Sequence, residues 1–147
     1  MPIIVTPYVP TYITVHLGTP DSDAENVTVS FLDYIKNVAS SEVYPTWHVS
    51  ALRANILAQV SFALNRVYTE FYPSQGYDFN ITASTAYDQK FIKGRNIFES
   101  VSTLVDALFT SYLRRPGFAE PLAASFCNGT TSTCDGLSQW GSEHLAQ

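Results

Sequence analysis

Charge is what this sequence has least of. Asp, Glu, Lys and Arg together make up only 14% of the chain, and Lys and Arg number 8 in 147 residues. Phosphate recognition needs clustered cations. The one adjacent basic pair is Arg114-Arg115 and the formal net charge is −5, so no nucleic-acid partner is expected. Long apolar runs are missing too: no window of about 18 apolar residues exists to span a bilayer, so no transmembrane segment is expected. The N-terminus, MPIIVTPYVPTYITVHLG, has no basic n-region and no small-residue cleavage site, and two prolines interrupt its apolar part. It does not read as a signal peptide. The chain is then either a mature form or one that reaches its destination by another route. The histidines are His16, His48 and His144, scattered along the chain with no Ser or Cys in a recognisable nucleophile setting, so no nucleophilic triad is expected.

Cysteine is scarce as well. Cys127 and Cys134 flank a stretch rich in Gly, Thr and Ser. A local disulfide is the first reading and two free thiols the second. Two thiolates without a neighbouring histidine fall short of a zinc set, so no metal is expected. If the disulfide forms, it implies an oxidising environment.

What is abundant points the other way. Hydrophobic residues make up 46% of the chain, enough to bury one real core at this length. Thr, Ser, Asn and Tyr supply polarity without charge, which suits an extracellular, spore-surface or assembly protein. Tyr12, Thr14 and His16 alternate with Ile13, Val15 and Leu17, the period of a strand. Pro2, Pro7 and Pro10 keep the preceding residues out of any central strand. Residues 1–17 are therefore expected to form an extended N-terminal arm, either frayed or adding a strand to a neighbouring subunit in a homo-oligomer. The domain proper would be 18–147.

Residues 18–26 read as a polar turn. A short helix is expected from Val29 to about Ser40, with Phe31, Ile35 and Val38 at helical spacing. A long one is expected to about Tyr72, with Ser50 as N-cap and Leu52, Ile56, Val60, Ala63, Leu64 and Val67 on one stripe. Residues 73–94 carry loop and short-strand signals. A third helix is expected over about Asn96–Arg114, then a core strand over Glu120–Phe126, then a loop and short helix from Gly136. The fold class is α+β: one domain of about three main helices packed on short strands, with helices outweighing strands.

Three ordered segments carry more. Asp33-Tyr34-Ile35-Lys36-Asn37-Val38-Ala39-Ser40-Ser41-Glu42-Val43 leads into Trp47 and Ala51-Leu52-Arg53-Ala54. Ser84-Thr85-Ala86-Tyr87-Asp88-Gln89 follows, and Gly136-Leu137-Ser138-Gln139-Trp140-Gly141 comes near the end. In this order they resemble the SpoIID/LytB family: its D-Y-L-x-G-V-V-A-x-E-M stretch with S-W and A-L-K-A-Q-A, its T-x-x-x-Q-V-Y segment, and its G-M-S-Q-Y-G-A. The resemblance covers about residues 29–147, and in the family the last helix runs beyond the point where this chain stops.

The resemblance implies a bacterial lytic transglycosylase that acts on peptidoglycan glycan strands during sporulation or wall remodelling. It implies a location at the cell envelope or spore surface, and Glu42 as the catalytic acid/base. One carboxyl group suffices for such chemistry, unlike the paired acids of most glycosidases. Trp47, Tyr87, Ser138, Gln139 and Trp140 are the candidate substrate-binding residues, with Tyr44 and Tyr77 as further aromatics on which a sugar can stack. The sequence also departs from the family. The H-C-Q part of a metal-holding T-T-H-C-Q segment falls on Tyr87, Asp88 and Gln89, so no zinc and no other cofactor is expected. The histidine of G-H-G is missing, Ser132, Thr133 and Cys134 standing there. The groove arginine falls on Val60 and the glutamine of K-A-Q-A on Asn55. These losses support an alternative: a catalytically reduced structural subunit of a spore-surface layer or extracellular fibre, assembled through the N-terminal arm. The sequons at Asn26, Asn80 and Asn128 carry no expectation of a glycan in a bacterial protein.

Overall fold

The computed structural model describes residues 9–43 and 46–109, together with the short strands Phe126–Cys127 and Leu137–Ser138. The order of elements is β1 (Tyr12–His16), β2 (Asn26–Ser30), α1 (Phe31–Glu42), α2 (Val49–Tyr68), a 3-10 turn at Pro73–Gln75, β3 (Ile81–Thr82), α3 (Glu99–Leu108), β4 (Phe126–Cys127) and β5 (Leu137–Ser138). Three helices pack on a small mixed sheet of order β2-β1-β3, an α+β architecture. β4 and β5 form a separate parallel pair, with Phe126 opposite Leu137 and Cys127 opposite Ser138.

The alternation in β1 does what a half-buried strand requires: Ile13 and Val15 are buried while Tyr12 stands 65% exposed. β1 is not an arm, however. It is the central strand of its own sheet, antiparallel to β2 and parallel to β3. The boundary expected at residue 17 is corrected accordingly, because two buried side chains and two ladders tie residues 12–16 into the domain. Residues 1–8 lie outside the described part. β2 is a second correction. Asn26–Ser30 occupies residues read as the end of a turn and the start of a helix, because pairing with β1 satisfies their backbone and Ser30 delays the helix. The Ser30 hydroxyl accepts the Asp33 N–H at 3.0 Å as the N-cap of α1.

Along α1, Phe31, Tyr34, Ile35, Val38 and Ala39 face the core at helical spacing. α2 is buried almost all round from Ala51 to Asn65, the mark of a central helix rather than a surface one. Its N-cap is His48, whose Nδ1 accepts the Ser50 N–H at 3.1 Å, so Ser50 is a first-turn residue and not the cap expected. The helix ends at Tyr68, one turn short of the expected limit, where Thr69 N–H bonds back to Asn65. α3 buries Val101 and Val105 and is pinned to α1 by a Lys36–Asp106 ion pair of 2.9 Å. Its expected extension to Arg114 and most of the Glu120–Phe126 strand lie outside the described residues. After Gly136, Leu137–Ser138 is a strand where a loop and short helix were expected. Among the described residues no helix is long and apolar enough to cross a membrane.

Candidate active site

Glu42 is the last residue of α1. The buried face of the helix fixes its direction, and the N–H of Val43 closes the final turn on Ala39 O. Being at the end leaves the Glu42 side chain room to reach forward. It does so: Oε1 accepts the backbone N–H of Lys90 at 2.7 Å, across 48 residues of sequence. Lys90 directly follows Gln89, so the first and second motif segments meet at this carboxylate.

What holds the second segment in place is a buried polar network. The Tyr34 hydroxyl donates to Gln89 Oε1 at 2.8 Å, and Gln89 Nε2 donates to the main-chain oxygen of Gln59 at 2.9 Å. Tyr34, Gln59 and Gln89 are all fully enclosed. One residue before Gln89, the Asp88 carboxylate collects four bonds. Oδ1 accepts Arg66 Nε at 2.8 Å; Oδ2 accepts the Tyr72 hydroxyl at 2.6 Å, the Thr82 hydroxyl at 2.7 Å and the Thr82 N–H at 3.0 Å. The Asp88 side chain is wholly buried and that of Arg66 is 14% exposed. Asp88 thus joins α2, β3 and the turn before Lys90. Among the described residues the buried Gln59 side-chain amide has no hydrogen-bond partner.

Past Lys90 the chain runs back along α1. Asn37 Nδ2 donates to Ile92 O at 2.7 Å while its Oδ1 accepts Ile92 N–H at 2.9 Å. Ser40 Oγ accepts the Phe98 N–H at 3.3 Å, and Ser41 Oγ receives Arg95 Nη1 at 3.1 Å. Polar residues that look out of place on an amphipathic helix are there to bind this strap.

The other expected site residues divide. Trp47 is 8% exposed and packs with Val43, Leu52 and the edge of Leu104. It is packed inward through these contacts rather than offering a ring to solvent. Tyr87 is 52% exposed, and its carbonyl accepts Arg66 Nη2 at 3.3 Å. Tyr77 donates its hydroxyl to Asp21 at 2.6 Å. Ser138 lies in β5 opposite Cys127. Tyr44, Gln139, Trp140 and Cys134, and with Cys134 the disulfide expected to Cys127, fall outside the described residues. Val60, where the family places an arginine, is a core residue, and Asn55 is buried with its Nδ2 donating to Ala51 O at 2.7 Å.

Tyr34, Asp88 and Arg66 are the residues that the sequence reading passed over. Tyr34 lies inside the first motif segment and Asp88 inside the second, while Arg66 lies in none. His16 is another: buried and stacked on Phe79 at 4.5 Å, it contacts Asn26 Oδ1 through Nδ1 at 2.6 Å and Ser22 Oγ through Nε2 at 3.2 Å. The Ser22 hydroxyl donates to Thr19 O at 2.7 Å, so this group clasps the end of the sheet and is not a catalytic relay.

Burial pushes the Tyr34 hydroxyl well above its usual range, with the charges of Asp88 and Glu42 adding to the effect. Tyr72 is raised likewise, first by burial and then by its bond to Asp88. The unfolded chain therefore gives up these protons first, near pH 10. Their contribution to stability is complete below that pH and is lost as pH rises above it. Urea unfolding should show stability falling by about 1.4 kcal/mol in all between pH 9 and pH 11 for each such tyrosine. In Tyr34→Phe one tyrosine's share of that slope should vanish; an unchanged slope would show that Tyr34 ionises freely in the folded state.

No family model matches this chain, and no curated protein matches it.

Proposed function

We propose that this protein is a bacterial cell-wall protein that cuts peptidoglycan glycan strands as a lytic transglycosylase, with Glu42 as acid and then base. Glu42 protonates the glycosidic oxygen as the bond breaks. It then takes the proton from the sugar's own 6-hydroxyl, which closes an anhydro ring and releases the shortened strand. No second carboxylate is called for. The observation that carries this reading is the bond from Lys90 N–H to Glu42 Oε1. It unites at one carboxylate two motif segments that the resemblance to the SpoIID/LytB family links only by order. A backbone amide orients the carboxyl, as a positioned acid–base group requires. Tyr87 offers an exposed ring for stacking a sugar.

The test is incubation of purified protein with glycan strands stripped of peptide, followed by mass spectrometry of the soluble products. Fragments ending in anhydro-muramic acid are the expected result. Their absence, with reducing-end products or intact strands instead, ends this reading.

The second reading, a structural subunit joined through its N-terminal segment, now has less chain to work with. Residues 12–16 are used inside the protein's own sheet, so only the first ten or so residues remain for the joint. Deleting residues 1–10 should abolish self-association if this reading holds.

A further inference from the structure

A cavity of about 510 Å³ opens between α1, the 90–98 strap and the free edge of β2. Its volume lies in the range of small-molecule and short-peptide sites. Its walls are Asp33 and Asn37 of α1, Phe91 and Arg95 of the strap, and Val27 and Thr28 of β2.

The edge carries the first argument. Leu17 N–H bonds to Glu25 O and Phe31 N–H to Thr11 O, so on β2 the odd-numbered residues bond to β1. The N–H and C=O of Thr28 therefore point away from β1, out of the free edge, and no backbone group among the described residues takes them. A sheet edge with open donors and acceptors accepts an extended peptide as an added strand.

The charges carry the second. The Arg95 guanidinium spends Nε on Asn96 O and Nη1 on Ser41 Oγ. Among the described residues its Nη2 has no hydrogen-bond partner and no carboxylate pairs with Arg95, whose guanidinium lies 5.4 Å from the Phe98 ring centroid. The neighbouring Lys93 is already bound to Glu25 at 2.9 Å. Arg95 is thus the cation left to receive an anion, in the planar geometry that suits a carboxylate. Asp33 stands toward the other end of the same helix face. From Asp33 to Ser41, which holds Arg95, α1 rises about 12 Å. That is roughly the length of three to four extended residues.

We propose that this cavity binds a short extended peptide, which pairs with Thr28 as an added strand, sets its C-terminal carboxylate on Arg95 and turns an ammonium group toward Asp33. A neutral sugar carries no charge to set against Arg95 and Asp33, whereas a peptide with free ends carries both. The site is separate from the chemistry at Glu42 and goes beyond it, so either can fail while the other holds.

The probe is the tripeptide Ala-Val-Ala with both ends free, titrated into the full-length, 15N-labelled protein. Saturable shifts of the Thr28 amide and the Arg95 Nε–H signals are expected. Amidating the peptide's C-terminus should weaken binding at least about tenfold, the worth of one charge-assisted bond. Arg95→Gln should do the same for the free peptide and make no difference to the amidated one. N-methylation at the valine should also weaken binding, with the protein unchanged. The proposal is overturned if Thr28 and Arg95 show no saturable shift, or if acid and amide bind alike. It is also overturned if the shifts arise at residues outside the cavity.

Discussion

Glu42→Gln is expected to lower the release of anhydro-ended fragments by roughly 10²–10⁴-fold, the usual worth of a positioned acid–base group, while the protein melts at its normal temperature. Gln differs from Glu by one atom of nearly the same size. Its amide oxygen still accepts the Lys90 N–H that now meets Oε1 at 2.7 Å, so the side chain stays where it is. What disappears is the proton to be given and the carboxylate to take one back. Glu42→Asp probes the same point differently. It keeps the chemistry but draws the carboxyl back by one methylene, away from the Lys90 amide, and activity should fall there too. Both variants are read by counting anhydro ends by mass spectrometry beside a thermal melt. Full activity in Glu42→Gln would remove Glu42 from the mechanism and the proposed function with it.

Asp88→Asn is expected to cost about 3–5 kcal/mol, the penalty for removing one partner of a buried ion pair. In Tm this is on the order of 10 °C. The carboxylate receives four donors and gives none. An amide has one acceptor oxygen and one donor nitrogen, so whichever way it turns, its NH2 faces N–H or O–H groups. If the oxygen stays with Tyr72 and Thr82, the amide nitrogen confronts Arg66 Nε. The guanidinium is then left almost buried between the Phe62 and Phe71 rings, 4.6 and 3.9 Å from their centroids, without its counter-charge. A double-mutant cycle with Arg66→Met separates the pair from the rest: if the ion pair matters, the second substitution costs much less once the first is made. Additive losses would mean that Tyr72 and Thr82, not Arg66, account for the role of Asp88.

Much of the architecture was legible in local pattern. The alternation through Ile13 and Val15 marked β1, and the spacing of Phe31, Ile35 and Val38 marked α1, because burial imposes periods of two and near four on any chain. The errors came where tertiary contacts decide. Asn-Val-Thr-Val-Ser in β2 is too short and too polar to declare itself; it is a strand because β1 lies beside it. His48 displaces Ser50 as the cap of α2 because its imidazole reaches the first open N–H. At the candidate site, the residue types and their order were visible, but not their meeting. Asp88 looked like a lost cysteine until Arg66, Tyr72 and Thr82 converged on it. Asn26 and Asn80 looked like sequons, whereas Asn26 binds His16 and Asn80 Oδ1 accepts the Thr14 N–H. Contacts between residues so far apart in the chain leave no periodic trace.

The sheet order β2-β1-β3 has one more consequence, for the protein as it is being made. β1 and β2 adjoin in sequence and can pair as soon as both leave the ribosome. The other side of β1 waits for the segment around Asn80, 66 residues downstream of Thr14. Closing so long a loop is slow compared with forming a hairpin. Lys90 lies in that same later segment, so the Glu42 carboxylate meets its backbone partner only after a further 48 residues have been made. Until then, the growing chain carries a half-made sheet, with one edge of β1 open to whatever strand it meets first.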